Sequence, residues 1–323
     1  MSTKESSIWG VTSLVVAIIA LSFSPILTRI TENDLGPYGT IFNRFWIASL
    51  ALGLVNGVKI LWNKQSGCLS TTAKKAYTFQ DFLYLFLLAS SESACLVTWA
   101  WSLTKTSVAN SNLLHNTTPI FAAVGGWLLF SQSFNRRFII GMILALGGTF
   151  IIGFQDFNLA RDTLIGDSAA LLSALFYAAT LLVTEHLRVK FETTTILLWN
   201  FTLGSLLLLP CTLLFEDKLL PASFSGWFAV ITLGVFCSVI GFSALVYSLK
   251  QFSSSFVSLI LLLEPIIAAF LAWPIFAEEL SWLNGLTFII VLSGIYLAKS
   301  DRELVGSLVG SAEQDYGQAN ESV

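Results

Sequence analysis

Ten apolar stretches, each about as long as a bilayer is thick, leave this chain of 323 residues little sequence for anything else. They run roughly 8–29, 38–61, 82–104, 108–130, 137–155, 166–187, 194–215, 225–249, 254–277 and 281–298. A spanning helix needs about 20 such residues. Hydrocarbon offers no water to backbone N–H and C=O groups, so a series of this kind folds as a helical bundle. Composition agrees: only 11% of the residues are charged, where a soluble domain carries about 25%. The expected fold is an all-α membrane protein with ten transmembrane helices. The first stretch follows Lys4 and is too long for the apolar core of a secretion signal, so it is read as a retained helix.

Basic residues orient such a bundle. With the N-terminus in the cytoplasm, the inner side receives Lys4, Lys59, Lys64, Lys74, Lys75, Arg136, Arg137, Arg188, Lys190, Lys250, Lys299 and Arg302. The outer side receives only Arg29, Lys105, Arg161 and Lys218. Twelve against four, with Arg44 inside a helix, accounts for all 17 and places both termini in the cytoplasm. The net charge of −3 adds nothing about partners. Cys68, Cys95, Cys211 and Cys237 stand at no disulfide or metal-ligand spacing, and no cofactor is implied.

The pattern then repeats. Gly10 and Gly166, Thr28 and Thr184, and Ser49 and Ser205 correspond at a spacing of 156; Pro119 and Pro265, Trp127 and Trp273, and Gly148 and Gly294 correspond at 146. A longer inner loop in the first half accounts for the change. Two copies of a five-helix unit follow, at 8–155 and 166–298, joined by an outer linker at 156–165. An odd number of helices turns the second copy over, so the repeat is inverted, an architecture used by alternating-access carriers. Residues 1–7 form a short cytoplasmic N-terminus, and 299–323, rich in Ser, Gly, Glu and Gln, a disordered cytoplasmic tail.

Four ionisable residues lie well inside apolar stretches: Arg44, Glu92, His115 and Glu264. A charge at a helix centre costs about 2.5–3.5 kcal/mol, so these side chains should face the interior and border one cavity. Each carries two readings. Arg44 binds substrate or pairs with Glu92 or a helix end; Glu264 binds an ammonium group or proton, or braces the backbone freed at Pro265. Glu92, near mid-bilayer, suits proton exchange. His115 stands four residues before Pro119, so its carbonyl loses its helical donor, and its imidazole either titrates or bonds locally. Trp99, seven residues after Glu92, and Tyr177 are the aromatic candidates for the same cavity. Pro119 and Pro265 are read as paired bends of two gating helices.

The runs LEPIIAAFLAWPIFAEELSWLNGLTFIIVLSGIYLA and TPIFAAVGGWLLF, with NRFWIAS and SALFYAATLLVTEHL, resemble the drug/metabolite transporter superfamily, in particular its EamA-type ten-helix exporters. The resemblance spans residues 8 to 298. It implies that helices one to four and six to nine surround a central cavity, with five and ten outside. Gln132 departs from it, standing where the family usually has an acid; the counterpart Glu278 keeps the acid. Helix one reads Leu21-Ser22-Phe23-Ser24 where the family commonly has Trp.

These features point to a secondary active transporter in a bacterial plasma membrane, exporting a small amphipathic or amino-acid-like metabolite with proton coupling. One buried cation and two buried acids suit a zwitterion, and with no P-loop the drive must come from a gradient. The alternatives are an intramembrane enzyme, for which no metal or nucleophile motif appears, and a channel or non-transporting scaffold. Expected partners are the metabolite and the lipid bilayer, with a homodimer allowed and no nucleic acid.

Overall fold

The computed structural model describes residues 3–32, 34–65, 77–106, 108–153, 164–276 and 282–299. The first apolar stretch forms α1 (Thr3–Ser22) and α2 (Ser24–Thr31), the second α3 (Pro37–Gln65), and the third α4 (Phe79–Leu103). The fourth forms α5 (Val108–His115) and α6 (Thr118–Phe130), and the fifth α7 (Arg136–Gly153). The second half begins with α8 (Leu164–Arg188) and α9 (Thr193–Phe215). Next, α10 (Phe224–Thr232) runs through a π-helical stretch (Leu233–Gly241) into α11 (Phe242–Ser248). The ninth stretch holds α12 (Ser254–Leu261) and α13 (Glu264–Phe276), and the last is α14 (Trp282–Lys299). Among the described residues there is no strand.

Among the described residues, eight of the ten stretches form helices long and apolar enough to cross a membrane. The other two, α7 and α14, have 18 residues each, or about 27 Å at 1.5 Å per residue. Most of the long inner loop, residues 156–163 of the linker, Glu278 and the tail from Ser300 lie outside the described residues, and the linker's last two residues begin α8.

Three stretches are broken, two of them at the bends read from Pro119 and Pro265 and one, in the first stretch, where the sequence suggested an unbroken span. Each break is followed within two residues by a proline: Pro25, Pro119 and Pro265. Proline tolerates the first turn of a helix because it has no N–H to donate. The second and third breaks occupy equivalent places in the two halves, 146 residues apart; the first has no counterpart, since α8 is continuous.

Helix pairing is unchanged when the halves are exchanged. The third stretch packs on the sixth (α4 on α8) and the eighth on the first (α11 on α1); the second packs on the seventh (α3 on α9), the fourth on the ninth (α6 on α12), and α7 on α14. This is the two-fold relation of an inverted repeat. Charged and polar brackets at the two faces follow it as well. At the face where α2 ends, Asp34 accepts hydrogen bonds from the N–H and hydroxyl of Ser223, the N-cap of α10. At the face where α1 begins, Lys190 pairs with Asp81 in the first turn of α4. Bonds from Ser223 hold the Asp34 carboxyl below the usual carboxylate range. That bracket is therefore at full strength at neutral pH and loosens only as pH falls through the lowered value.

The α7–α14 pair depends on two glycines. A Cβ on Gly294 would stand 2.6 Å from the Gly141 carbonyl oxygen and 2.7 Å from the Ala145 nitrogen; one on Gly141 would meet the Ala298 nitrogen at 2.8 Å. Backbones this close admit no side chain. Gly294→Val should therefore force the pair apart and cost about 1–3 kcal/mol, read as a lower unfolding temperature in detergent, whereas Gly147→Val, which faces open space, should change it little.

Candidate functional site

All eight residues singled out in the sequence line one cavity of about 690 Å³: Arg44, Glu92, Trp99, His115, Pro119, Tyr177, Glu264 and Pro265. Its wall runs from Glu32, exposed beyond the end of α2, and Leu103 at the end of α4 to Ser258 and Leu261 in α12. The cavity thus reaches from the face where α2 ends to the middle of the bundle. No residue of α7 or α14 contributes to it.

Arg44 reaches the cavity from α3 and is buried, and its hydrogen-bond partners do not include Glu92, one of the partners the sequence suggested. Nε donates to Ser238 Oγ at 2.6 Å and Nη1 to Ser24 Oγ at 3.0 Å. Both serines come from irregular backbone. Ser24 opens α2 just after the first break; Ser238 lies in the π-helical stretch, where the wider turn shifts a side chain around the helix. Gly234 brings that stretch against α3: a Cβ there would stand 2.8 Å from Ile47 Cγ2 and 3.2 Å from the Arg44 carbonyl oxygen. The Phe242 ring lies under the guanidinium at 5.7 Å. Hydroxyls rather than acids thus hydrogen-bond the guanidinium on the wall of the cavity.

Glu92 is almost wholly buried, with 3% of its surface exposed, and accepts a 2.6 Å hydrogen bond from Asn200 Nδ2 in α9. Glu264 begins α13, where the helix dipole favours an acid. Its side chain makes no hydrogen bond with a described residue; its carbonyl accepts from the Ser22 hydroxyl at 3.2 Å. That bond is at the Glu264 carbonyl and not at the Leu261 carbonyl, which is the one that Pro265 leaves without a helical donor; the Glu264 side chain itself lines the cavity.

His115 ends α5, and its orphaned carbonyl accepts from the Thr118 hydroxyl at 2.7 Å, which replaces the donor lost at Pro119. The ring bonds through Nδ1 to Ser173 Oγ at 2.8 Å and stacks on Tyr177 at 5.5 Å, with the Trp99 ring tilted at 6.5 Å. Trp99 Nε1 and Thr40 Oγ1, both on cavity-lining residues, are buried without a hydrogen-bond partner. Such groups suit a polar ligand.

Toward the face where α1 begins, polar contacts tie the halves together. Glu185 in α8 accepts from the Ser254 N–H at 2.7 Å and from Gln132 Nε2 at 3.3 Å. Ser255 donates to the Ala122 carbonyl at 3.0 Å and lies 3.3 Å from Gln132 Oε1. Gln132, the departure noted in the sequence, thus sits where the loop after α6 meets the starts of α12 and the end of α8.

Ser24, Ser173, Asn200 and Ser238 are the site residues that sequence reasoning missed. Ser24 lay in a visible polar patch beside a proline. Asn200 appeared only as a sequon buried in a span, and an asparagine at that depth needs a polar partner. Ser238 carried no local signal.

An all-helical membrane fold of inverted repeats with a central charged cavity defines a transporter architecture. The EamA-like transporter family model matches residues 8–154 and 164–299, and the chain belongs to that family. It is similar to an uncharacterized transporter of Archaeoglobus fulgidus, 26% identical over 291 residues, covering 88% of this chain and 94% of the relative. A second, from Methanothermobacter thermautotrophicus, is 22% identical over 297 residues, covering 90% and 86%. The Bacillus subtilis transporter YxxF is 25% identical over 276 residues, covering 83% and 82%. A solved crystal structure shares the fold, with a TM-score of 0.77 at 17% identity over 94% of this chain and 99% of that one.

Ser238→Ala should remove a charge-assisted bond from Arg44 and lower stability by about 1.5–3 kcal/mol, seen as a lower unfolding midpoint. Thr232→Val, half-buried at the end of the helix leading into the same stretch and bonded only to its own helix through the Phe228 carbonyl, should stay within about 0.5 kcal/mol.

Proposed function

We propose that this transporter exports a small amphipathic or amino-acid-like solute across a plasma membrane by alternating access, driven by exchange of protons at Glu92. The observation that carries the reading is the convergence of Arg44, Glu92 and Glu264 on one cavity. A buried guanidinium suits a solute carboxylate, and an unengaged carboxylate suits an ammonium group. The aromatic wall of Trp99, His115 and Tyr177 suits an apolar portion.

The direction of opening supports a cycle. With both termini in the cytoplasm, the cavity faces outward and the Glu185, Gln132 and Ser254 contacts close the inner side. Exchanging the conformations of the two repeats would open the inner side and close the outer. The matched breaks before Pro119 and Pro265 supply bends in α5–α6 and α12–α13, the elements that would move.

Glu92 fits the coupling role because it is buried, lines the cavity and feels the Arg44 charge. The other titratable groups around it are Cys95, His115, Tyr177 and Glu264. A proton on Glu92 cancels its charge, which a dry core favours during reorientation.

The test is efflux from proteoliposomes loaded with a panel of amino acids, measured across imposed pH gradients. Wild-type efflux should saturate with solute and rise with the proton gradient. Glu92→Gln should remove the gradient dependence while preserving expression and fold. An unchanged dependence in that variant would dismiss Glu92 as the coupling group, and flux without saturation would favour a channel.

A further inference from the structure

Between Glu92 and the face where α1 begins lies a second, much smaller chamber of about 10 Å³, lined mostly by apolar side chains. At the repeat spacings of 156 for α8 and α9 and of 146 for α11, nine of its twelve lining residues have their counterparts on the wall of the large cavity. Thr180 corresponds to Ser24, Thr184 to Thr28, Leu245 to Trp99 and Leu249 to Leu103. Ser24, Thr28, Trp99 and Leu103 are partly exposed around open space, whereas Thr180, Thr184, Leu245 and Leu249 are each 3% exposed or less. The same walls thus stand apart in one half of the protein and together in the other.

The hydrogen bonds around the chamber suit walls that part. Thr184 donates to the Thr180 carbonyl at 2.6 Å and Thr180 to the Phe176 carbonyl at 3.1 Å, so both hydroxyls are satisfied within their own helix. Thr180 also lies 3.1 Å from Ser91 Oγ, but Ser91 has the Leu88 carbonyl as its own acceptor at 3.0 Å. Separation would therefore strand no buried donor. The joint at mid-membrane is common to both halves. Asn200 donates to Glu92 just as its counterpart Arg44 donates to Ser238, the counterpart of Glu92, each at 2.6 Å. A bond made alike beside an open half and a closed half need not break when the two exchange. The latch lies nearer the face, where Glu185, next to Thr184, accepts from the Ser254 N–H and from Gln132.

We infer that the chamber is the second half of the solute path in its closed form, and that Thr184, Ile196, Leu245 and Leu249 line that path when the carrier opens to the face where α1 begins. The inference rests on the carrier reading and adds to it the residues and the chemistry of the second entrance. That chemistry differs from the first. Ile196 stands where the large cavity has Thr40, and Leu245 where it has Trp99. A hydroxyl and an indole N–H on one side are matched by hydrocarbon on the other. A solute loaded from the face where α1 begins thus meets an apolar wall before it reaches Glu92, and a wholly polar solute would lose its hydration there without replacement. The second entrance therefore favours solutes that carry an apolar portion.

The experiment is cysteine labelling in oriented vesicles, using the full-length protein with its four cysteines replaced by serine and one cysteine introduced at Thr184, Leu249 or Leu187. An impermeant maleimide should reach Thr184→Cys and Leu249→Cys slowly, and from the face where α1 begins alone. Leu187→Cys should stay unlabelled, because its counterpart Thr31 is 0% exposed even beside the open half. Leu245→Trp overfills the chamber, penalises the closed form and should speed both reactions at least about fivefold, while slowing Thr28→Cys from the opposite face. Glu185→Gln, which weakens the latch and leaves the chamber lining intact, should also speed them, so the claim stays exposed if the tryptophan variant folds poorly. Labelling that neither variant accelerates, or Leu187→Cys reacting alongside the other two, would overturn the assignment. If efflux from proteoliposomes still saturates in that case, the carrier reading stands and the path leaves by another route. Thr184→Cys reacting equally fast from both faces would end both readings.

Discussion

The structure turns on how a guanidinium is held inside a membrane. Arg44 sits between Ser24 and Ser238, not against Glu92 or Glu264. A buried ion pair would spend the charge on the protein itself, whereas two hydroxyls solvate the guanidinium without cancelling it. Each hydroxyl is supplied by a departure from regular helix, the break before Pro25 and the π-helical stretch in the eighth span. Irregular backbone at membrane depth is tolerated only where it borders protein or a cavity. The irregularities, the charge and the cavity therefore require one another.

A repeated unit would give a symmetric bundle if both copies adopted one conformation. Helix pairing is indeed symmetric, and so is the placement of the brackets at the two faces. The cavity is not. It extends from the face where α2 ends and stops at the middle, where Ser258 and Leu261 form its floor. The contacts among Gln132, Glu185, Ser254 and Ser255 join three elements on the closed side. Asymmetry thus arises from two copies of one design held in different arrangements, as the proposed alternating access requires.

Much of this was legible in the sequence, because lipid permits so few solutions. Apolar length gave the helices, the spacings of 156 and 146 gave the repeat, and the cost of intramembrane charge pointed Arg44, Glu92, His115 and Glu264 toward the interior. Partners were less legible. For Arg44 the sequence offered substrate, Glu92 or a helix end as partners, and the structure sets two serines against it, one of them at the start of α2. A serine in an apolar helix is common and carries no sign of what it meets. The π-helical stretch LGVFCSVIG contains no proline to announce it. Asn200 was visible as a polar residue at depth, but its importance comes from lying opposite Glu92 on a helix 108 residues away.

The central claim is that the charged residues line a space open to water from one face at a time. In a variant with Cys68, Cys95, Cys211 and Cys237 replaced by serine, single cysteines at Thr28 and Leu261 can be offered a membrane-impermeant maleimide from each side of oriented vesicles. Both positions should label from the face where α2 ends, and at any moment be shielded from the other. Failure of both to label from either side, or equally fast labelling of Leu261→Cys from both faces, would contradict the account.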